Sequence, residues 1–265
     1  MKSLLKNDFY KMHKEKAHWI LLIVLSGYML LTIGLMALIS DVGGLGDTLR
    51  TYVYLSTMDS SNLGIFIALS VSLYIGNDFR NRTVNLKILA GHSRLKIFFG
   101  YMLISLIIFA VFFVYNALFC AGLSYLFLGG FGDYLKDILI RMALMLPPYL
   151  AITSIATFIS MSLKSVLGIV MNIVVIMVLA TLGSIVAMLS AFGVGSGIID
   201  FITAVVPYTV LSSLSTGGLF GGFGGGGEET IFTLDMILKN VIGSAVFIAG
   251  AVTGGYFVFK SRPLT

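Results

Sequence analysis

Formal charge is in short supply. Asp, Glu, Lys and Arg make up 11% of the 265 side chains, where a soluble domain carries roughly 25%. That scarcity excludes a water-soluble enzyme and a charge-rich disordered chain. Cysteine is nearly absent as well: Cys120 stands alone, so no internal disulfide framework can form. There is no Gly-Lys dipeptide and hence no G-x-x-x-x-G-K-[ST] phosphate cradle, so the chain is not expected to hydrolyse ATP by itself. No His-Glu-x-x-His sequence or metal-spaced Cys/His cluster occurs, and His13, His18 and His92 lie outside the long uncharged runs. A catalytic centre, a bound cofactor and a metal site are therefore not expected in this chain.

What fills the sequence instead is apolar material, 58% of residues with a mean hydropathy of +1.01. One globular core of this length could not hide it, which makes lipid the solvent. Six uncharged runs approach or exceed the roughly 20 residues a helix needs to cross a bilayer: 19–39, 60–77, 97–132, 142–163, 165–199 and 240–259. A seventh, 201–227, contains Pro207 and ends in the tract Gly221-Gly222-Phe223-Gly224-Gly225-Gly226-Gly227. That tract lacks a lysine and a preceding strand, and reads as a flexible linker rather than a nucleotide loop.

Charge sets the orientation. With the N-terminus in the cytoplasm, six spans place 13 of the 17 Lys and Arg residues inside and leave Arg50, Lys136, Arg141 and Lys239 outside, as the positive-inside rule requires. The net charge of +5 is thus topogenic, and nucleic acid is not an expected partner. A full crossing by 201–220 would invert Lys260 and Arg262, so 200–237 is expected to dip into the outer leaflet and return, packed against protein. The fold class expected is an all-α polytopic membrane protein, one domain over 1–265, with both termini cytoplasmic. Residues 1–17 carry Leu5, Phe9 and Met12 at i, i+4, i+7 among lysines, the pattern of a helix lying on the inner membrane surface beside lipid.

The internal cytoplasmic loop 77–96 holds the most pattern. Phe79, Thr83, Leu86 and Ala90 recur at helical spacing, Gly91 falls where a C′ residue would end a helix, and Ser93 precedes the next run as a cap. Its basic residues satisfy the positive-inside rule whether or not the loop meets a partner.

Asp78, then Arg82-Thr83, Asn85, Leu89 and Gly91-His92-Ser93-Arg94, resembles the cytoplasmic signature of type-2 ABC exporter permeases, above all the bacitracin-resistance and lantibiotic-immunity branch. Asp78 stands where glutamate is commoner and Arg82 where glycine is common. The resemblance implies a multi-pass permease subunit of the bacterial plasma membrane whose loop docks as a coupling helix on a separate cytoplasmic ABC ATPase. The coupling residues would be Asp78, Phe79, Arg80, Arg82, Thr83, Leu86, Leu89, Ser93 and Arg94. ATP and Mg would be bound by that partner, and a second copy of the chain or a sister permease would complete the path. The cargo would be an amphipathic peptide or antibiotic. An ATP-independent transporter or channel is the rival reading.

Pro147-Pro148 and Pro207 are candidate hinges, although membrane helices also accept proline for packing. Gly250, Gly254 and Gly255 fit small-x-x-x-small helix contact.

The topology is checked by cysteine accessibility. Cysteines replacing Asn7 and Ser93 should react only from the cytoplasmic side, and those replacing Gly44 and Gly225 only from outside. External labelling at Ser93 overturns the six-span arrangement.

Overall fold

A computed structural model describes residues 2–43, 60–128, 135–163, 165–191 and 234–261, together with 202, 206, 207, 210 and 211. Its regular elements among these residues are α-helices: α1 (Lys2–Lys14), α2 (Lys16–Gly43), α3 (Ser60–Arg80), α4 (Thr83–Leu89), α5 (Arg94–Leu128), α6 (Leu135–Ser162), α7 (Ser165–Ala191) and α8 (Leu234–Ser261). The described part of each of the six uncharged runs lies on a long helix. Four are long and apolar enough to cross a membrane, over Lys16–Leu35, Arg94–Phe127, Ile138–Ser162 and Ile237–Ser261, while the apolar stretch of α7, Leu167–Gly183, is shorter.

The remaining helix, α3, is more polar, and its position explains why it can be. It packs against α2, α5, α6 and α7, so its Ser70 and Ser72 are buried in protein rather than turned to lipid. Around it, α2 contributes Leu25, Met29 and Ile33, four residues apart and so on one face, and α5 contributes Tyr101, Ile104, Ile108 and Phe112. The opposite faces carry Ile20, Ile23, Leu31, Leu118 and Val246 outward, which only a hydrocarbon solvent would accept on this scale.

Hydroxyl groups within the helices are satisfied locally. On α6 Thr153, Ser154, Thr157 and Ser160 each donate to the carbonyl four residues back, at 2.7–2.9 Å. Between α3, α6 and α7, the buried Asn172 amide donates to Ser72 Oγ at 2.6 Å, Ser160 Oγ at 2.7 Å and the Ala156 carbonyl at 3.0 Å. This is interhelical polar contact of the kind that joins membrane helices.

The proline pair sits inside α6. Pro148 has no N–H, so the carbonyl of Leu144, four residues earlier, loses its helical donor. Asn240 of α8 supplies the replacement, donating from Nδ2 to Leu144 O at 2.9 Å. The missing helical donor and the α6–α8 contact are thus one feature. Nearby, a Cβ on Gly255 would lie 3.2 Å from the Phe98 ring and one on Gly254 3.6 Å from Phe158, whereas Gly250 faces open space. The glycine contact expected from the sequence therefore rests on Gly254 and Gly255 and is made to phenylalanines of α5 and α6.

Of the expected outer segment 200–237, the Gly-rich tract lies outside the described residues. Val206 donates to Ile202 O and Val210 to Val206 O, both at 3.0 Å. Pro207, Val210 and Leu211 are buried.

Asn240→Ala should lower stability in detergent by about 1 kcal/mol. Pro148→Ala restores a backbone donor to Leu144 and should cancel most of that loss. A thermal-unfolding double-mutant cycle giving strictly additive changes would refute the link between the two helices.

Candidate functional site

The loop between α3 and α5 folds around two left-handed residues. α3 stops at Arg80, and Arg82 turns the chain at φ 54°, a conformation that costs an L-residue about 1–2 kcal/mol and that glycine adopts freely. α4 then runs for seven residues. It ends at Gly91, φ 83°, whose N–H meets the Ile88 carbonyl at 2.9 Å while His92 N–H reaches Lys87 O at 3.2 Å. That pair of bonds is a Schellman closure, which requires the positive φ. Ser93 Oγ accepts from Lys96 N–H at 3.4 Å and caps α5.

The face of α4 that packs inward is not the apolar stripe. Val84 and Lys87 are buried, whereas Leu86 and Leu89 are 62% and 82% exposed. Phe79 belongs to the end of α3 and packs against the core. The reason is electrostatic: Asp78 is wholly buried, and α4 is rolled so that Lys87 can reach it.

Asp78 is the centre of a closed ion network. Lys87 Nζ donates to Asp78 Oδ2 at 2.9 Å, Tyr101 OH donates to the same oxygen at 2.7 Å, and Lys11 of α1 is hydrogen-bonded to Oδ1. Lys87 also pairs with the buried Asp8 of α1, with Nζ 2.8 Å from Oδ1. Two carboxylates and two ammonium groups neutralise one another across α1, α3, α4 and the start of α5. Lys11 lies over the Tyr74 ring at 5.1 Å and Lys87 over the Tyr101 ring at 4.6 Å, so both cations also gain from the aromatic faces. Burial on its own would raise the Asp78 carboxyl, but the Lys87 and Lys11 ammoniums and the Tyr101 hydroxyl outweigh it and hold the group below its ordinary value.

A second polar chain extends the junction. Asn77 Nδ2 donates to Glu15 Oε1 at 2.9 Å, Glu15 Oε2 lies 3.3 Å from His18 Nε2, and His18 Nδ1 is hydrogen-bonded to Ser70 Oγ. The N-terminal helix, expected to rest on lipid by its Leu5, Phe9 and Met12 face, is anchored to protein by Asp8 and Lys11 on an adjoining polar face, and Met12 packs against the core.

The expected coupling residues fall into groups. Arg80, Arg82, Leu86, Leu89 and Ser93 are exposed on the loop, and Thr83 is half-buried. Asp78 and Phe79 point into the chain. Arg94 donates from Nη1 to the Lys260 carbonyl at 2.7 Å and ties the start of α5 to the end of α8. Sequence reading missed Asp8, Lys11, Glu15, Tyr74, Lys87 and Tyr101. A signal existed for part of this set: Asp8, Lys11, Glu15 and His18 recur at three- and four-residue spacing, a polar helix face. Arg141, assigned to the outer side by charge, is buried on α6. Among the described residues no cluster of His, Cys, Asp and Glu could hold a metal ion.

No family model, no curated protein and no solved structure matches this chain.

Because the folded Asp78 value lies below the ordinary 3.8, its charged form stabilises the native state above that pH. The contribution is lost as pH falls below about 4 toward the lowered folded value. Acid unfolding followed in detergent should therefore show a limb below pH 4 that is flattened in Asp78→Asn. An unchanged acid limb in that variant refutes the role of this carboxylate.

Proposed function

We propose that the chain is the membrane-spanning permease subunit of an ABC-type exporter, with six spans, both termini in the cytoplasm and α4 as the element that meets a separate ATPase. The observation that carries the reading is the pairing of Lys87 with Asp78 and Asp8 on one side of α4 and the exposure of Leu86 and Leu89 on the other. A seven-residue helix is too short to be stable by itself. Fixed by buried ion pairs to α1 and α3 and by the Tyr101 hydroxyl to α5, it becomes a rigid apolar knob at the end of a helical bundle. A push on such a knob is passed to α1, α3 and α5 together, since all four elements share one polar network. That is the mechanical requirement for a permease driven by a partner that binds ATP and Mg. The signature resemblance of residues 78–94 supports the same assignment. With it come a bacterial plasma membrane location, a second copy or sister permease, and an amphipathic peptide or antibiotic as cargo.

The buried Asp78, Asp8 and Lys87 favour a second reading, a transporter driven by proton movement instead of ATP, because charges sequestered beside spans are a recurrent feature of such relays. The two readings separate cleanly in proteoliposomes. A proton-driven carrier transports with a pH gradient and no ATPase, and a permease does not.

Leu86→Ala combined with Leu89→Ala removes the exposed apolar surface of α4 while keeping every charge and every buried contact of the loop. Burial of one leucine is worth about 1.5–3 kcal/mol, tenfold or more in association. The double variant should express and fold normally yet fail to retain an ATPase on purification from its native host, and the isolated wild-type chain should hydrolyse no ATP. Undiminished ATPase capture and transport by the double variant refute the docking role of α4.

A further inference from the structure

We infer that the corner between α1 and α2 is a binding site for an anionic phospholipid, one acyl chain lying in an apolar groove and the headgroup resting on Lys14 and Lys16. The groove has a volume of about 210 Å³ and is lined by Phe9 and Met12 of α1, Trp19 and Leu22 of α2, and Ile108 and Phe112 of α5. Its walls are almost wholly apolar, so water there would find few hydrogen-bond partners. Beside a membrane-spanning bundle, hydrocarbon is the filler at hand. The inference goes beyond the permease reading and is independent of whether an ATPase docks.

The mouth of the groove defines the headgroup. Trp19 is half exposed and donates its indole N–H to the His13 carbonyl at 3.1 Å, the placement of an aromatic side chain at the headgroup level. His13, which also lines the groove, stacks edge-on against it with ring centroids 5.7 Å apart. Between these two residues the chain reads Lys14-Glu15-Lys16. The one acid there, Glu15, turns inward to Asn77 and His18, and Lys14 and Lys16 stay exposed. The inward pairing of Glu15 thus leaves Lys14 and Lys16 uncancelled at the corner between the groove residues His13 and Trp19, with Lys14 Nζ 5.1 Å from the Tyr10 ring centroid. That combination matches an anionic lipid, whose charge and chain are joined at the same level. Each lysine near such a surface favours anionic lipid by about fivefold.

Trp19 is the sole tryptophan of the chain, so its fluorescence reports on this groove alone. The full chain is reconstituted in phosphatidylcholine vesicles containing a minor fraction of lipid with brominated acyl chains, either phosphatidylglycerol or phosphatidylcholine. Brominated phosphatidylglycerol should quench Trp19 well beyond its bulk fraction and at least about fivefold more effectively than brominated phosphatidylcholine. Val111→Phe, at a half-exposed groove position, should bring the quenching down to the bulk level. Lys14→Gln with Lys16→Gln should abolish the headgroup preference, and an unchanged melting temperature shows the variants to be folded. Quenching that follows bulk lipid fraction alone, equal for both headgroups and unaffected by either variant, overturns the site. Displacement of the quencher by a soluble amphipathic peptide, with no headgroup preference, also overturns it and assigns the groove to peptide.

Discussion

Everything at the N-terminal end of this bundle depends on the neutralisation of Asp78. A carboxylate with no contact to solvent cannot remain charged in a medium of low polarity without immediate partners, and it takes them from three separate elements: Lys11 of α1, Lys87 of α4 and Tyr101 of α5. Removing Lys87, the buried cation, leaves Asp78 and Asp8 uncompensated, and breaking a buried pair typically costs about 3–5 kcal/mol. The elements are therefore obliged to keep their mutual placement or to move together. This dictates the roll of α4, the inward turn of the α1 polar face and the outward exposure of Leu86 and Leu89.

The same logic of satisfied polar groups recurs deeper in the bundle with neutral partners. Asn172 joins α7 to Ser72 and Ser160, and Asn240 joins α8 to the carbonyl that Pro148 leaves open. Lipid offers no hydrogen bonds, so a group freed by proline or carried on a serine must be answered from a neighbouring helix. Apolar contact alone gives membrane helices little preference for protein over lipid. The few amides and hydroxyls thus supply much of the specificity with which α3, α6, α7 and α8 find one another.

Helix positions were readable from the sequence because charge marks their ends: the described part of each of the six uncharged runs lies on a helix, and the Gly91 turn and Ser93 cap fall where local chemistry puts them. The burial of Lys87 was not readable. The spacing of Phe79, Thr83 and Leu86 describes an apolar stripe, of which Leu86 is exposed, while two ion pairs, to Asp78 and Asp8, draw Lys87 inward beside Val84. The network was hidden for a related reason. Asp8 and Asp78 lie 70 positions apart, and only the folding of α1 back along α3 and α5 brings them to one lysine. Charges counted as topogenic markers turned out to have inward partners, a distinction that lies in tertiary geometry and leaves no trace in local periodicity.

The length of α5 has a mechanical corollary. Its 35 residues span about 52 Å at 1.5 Å each, against a hydrocarbon layer of about 30 Å, so one unbroken rod joins the Schellman turn of the loop to the far side of the bilayer. Tyr101 attaches this rod to the ion network near its first end, and Arg94 attaches that same end to the close of α8. With the fulcrum placed there, a tilt of about 5° would sweep the opposite end through roughly 4.5 Å, a displacement set by rod length alone. A small rotation at the ion network would in this way become a side-chain-sized displacement at the distant end, without any change inside the helix.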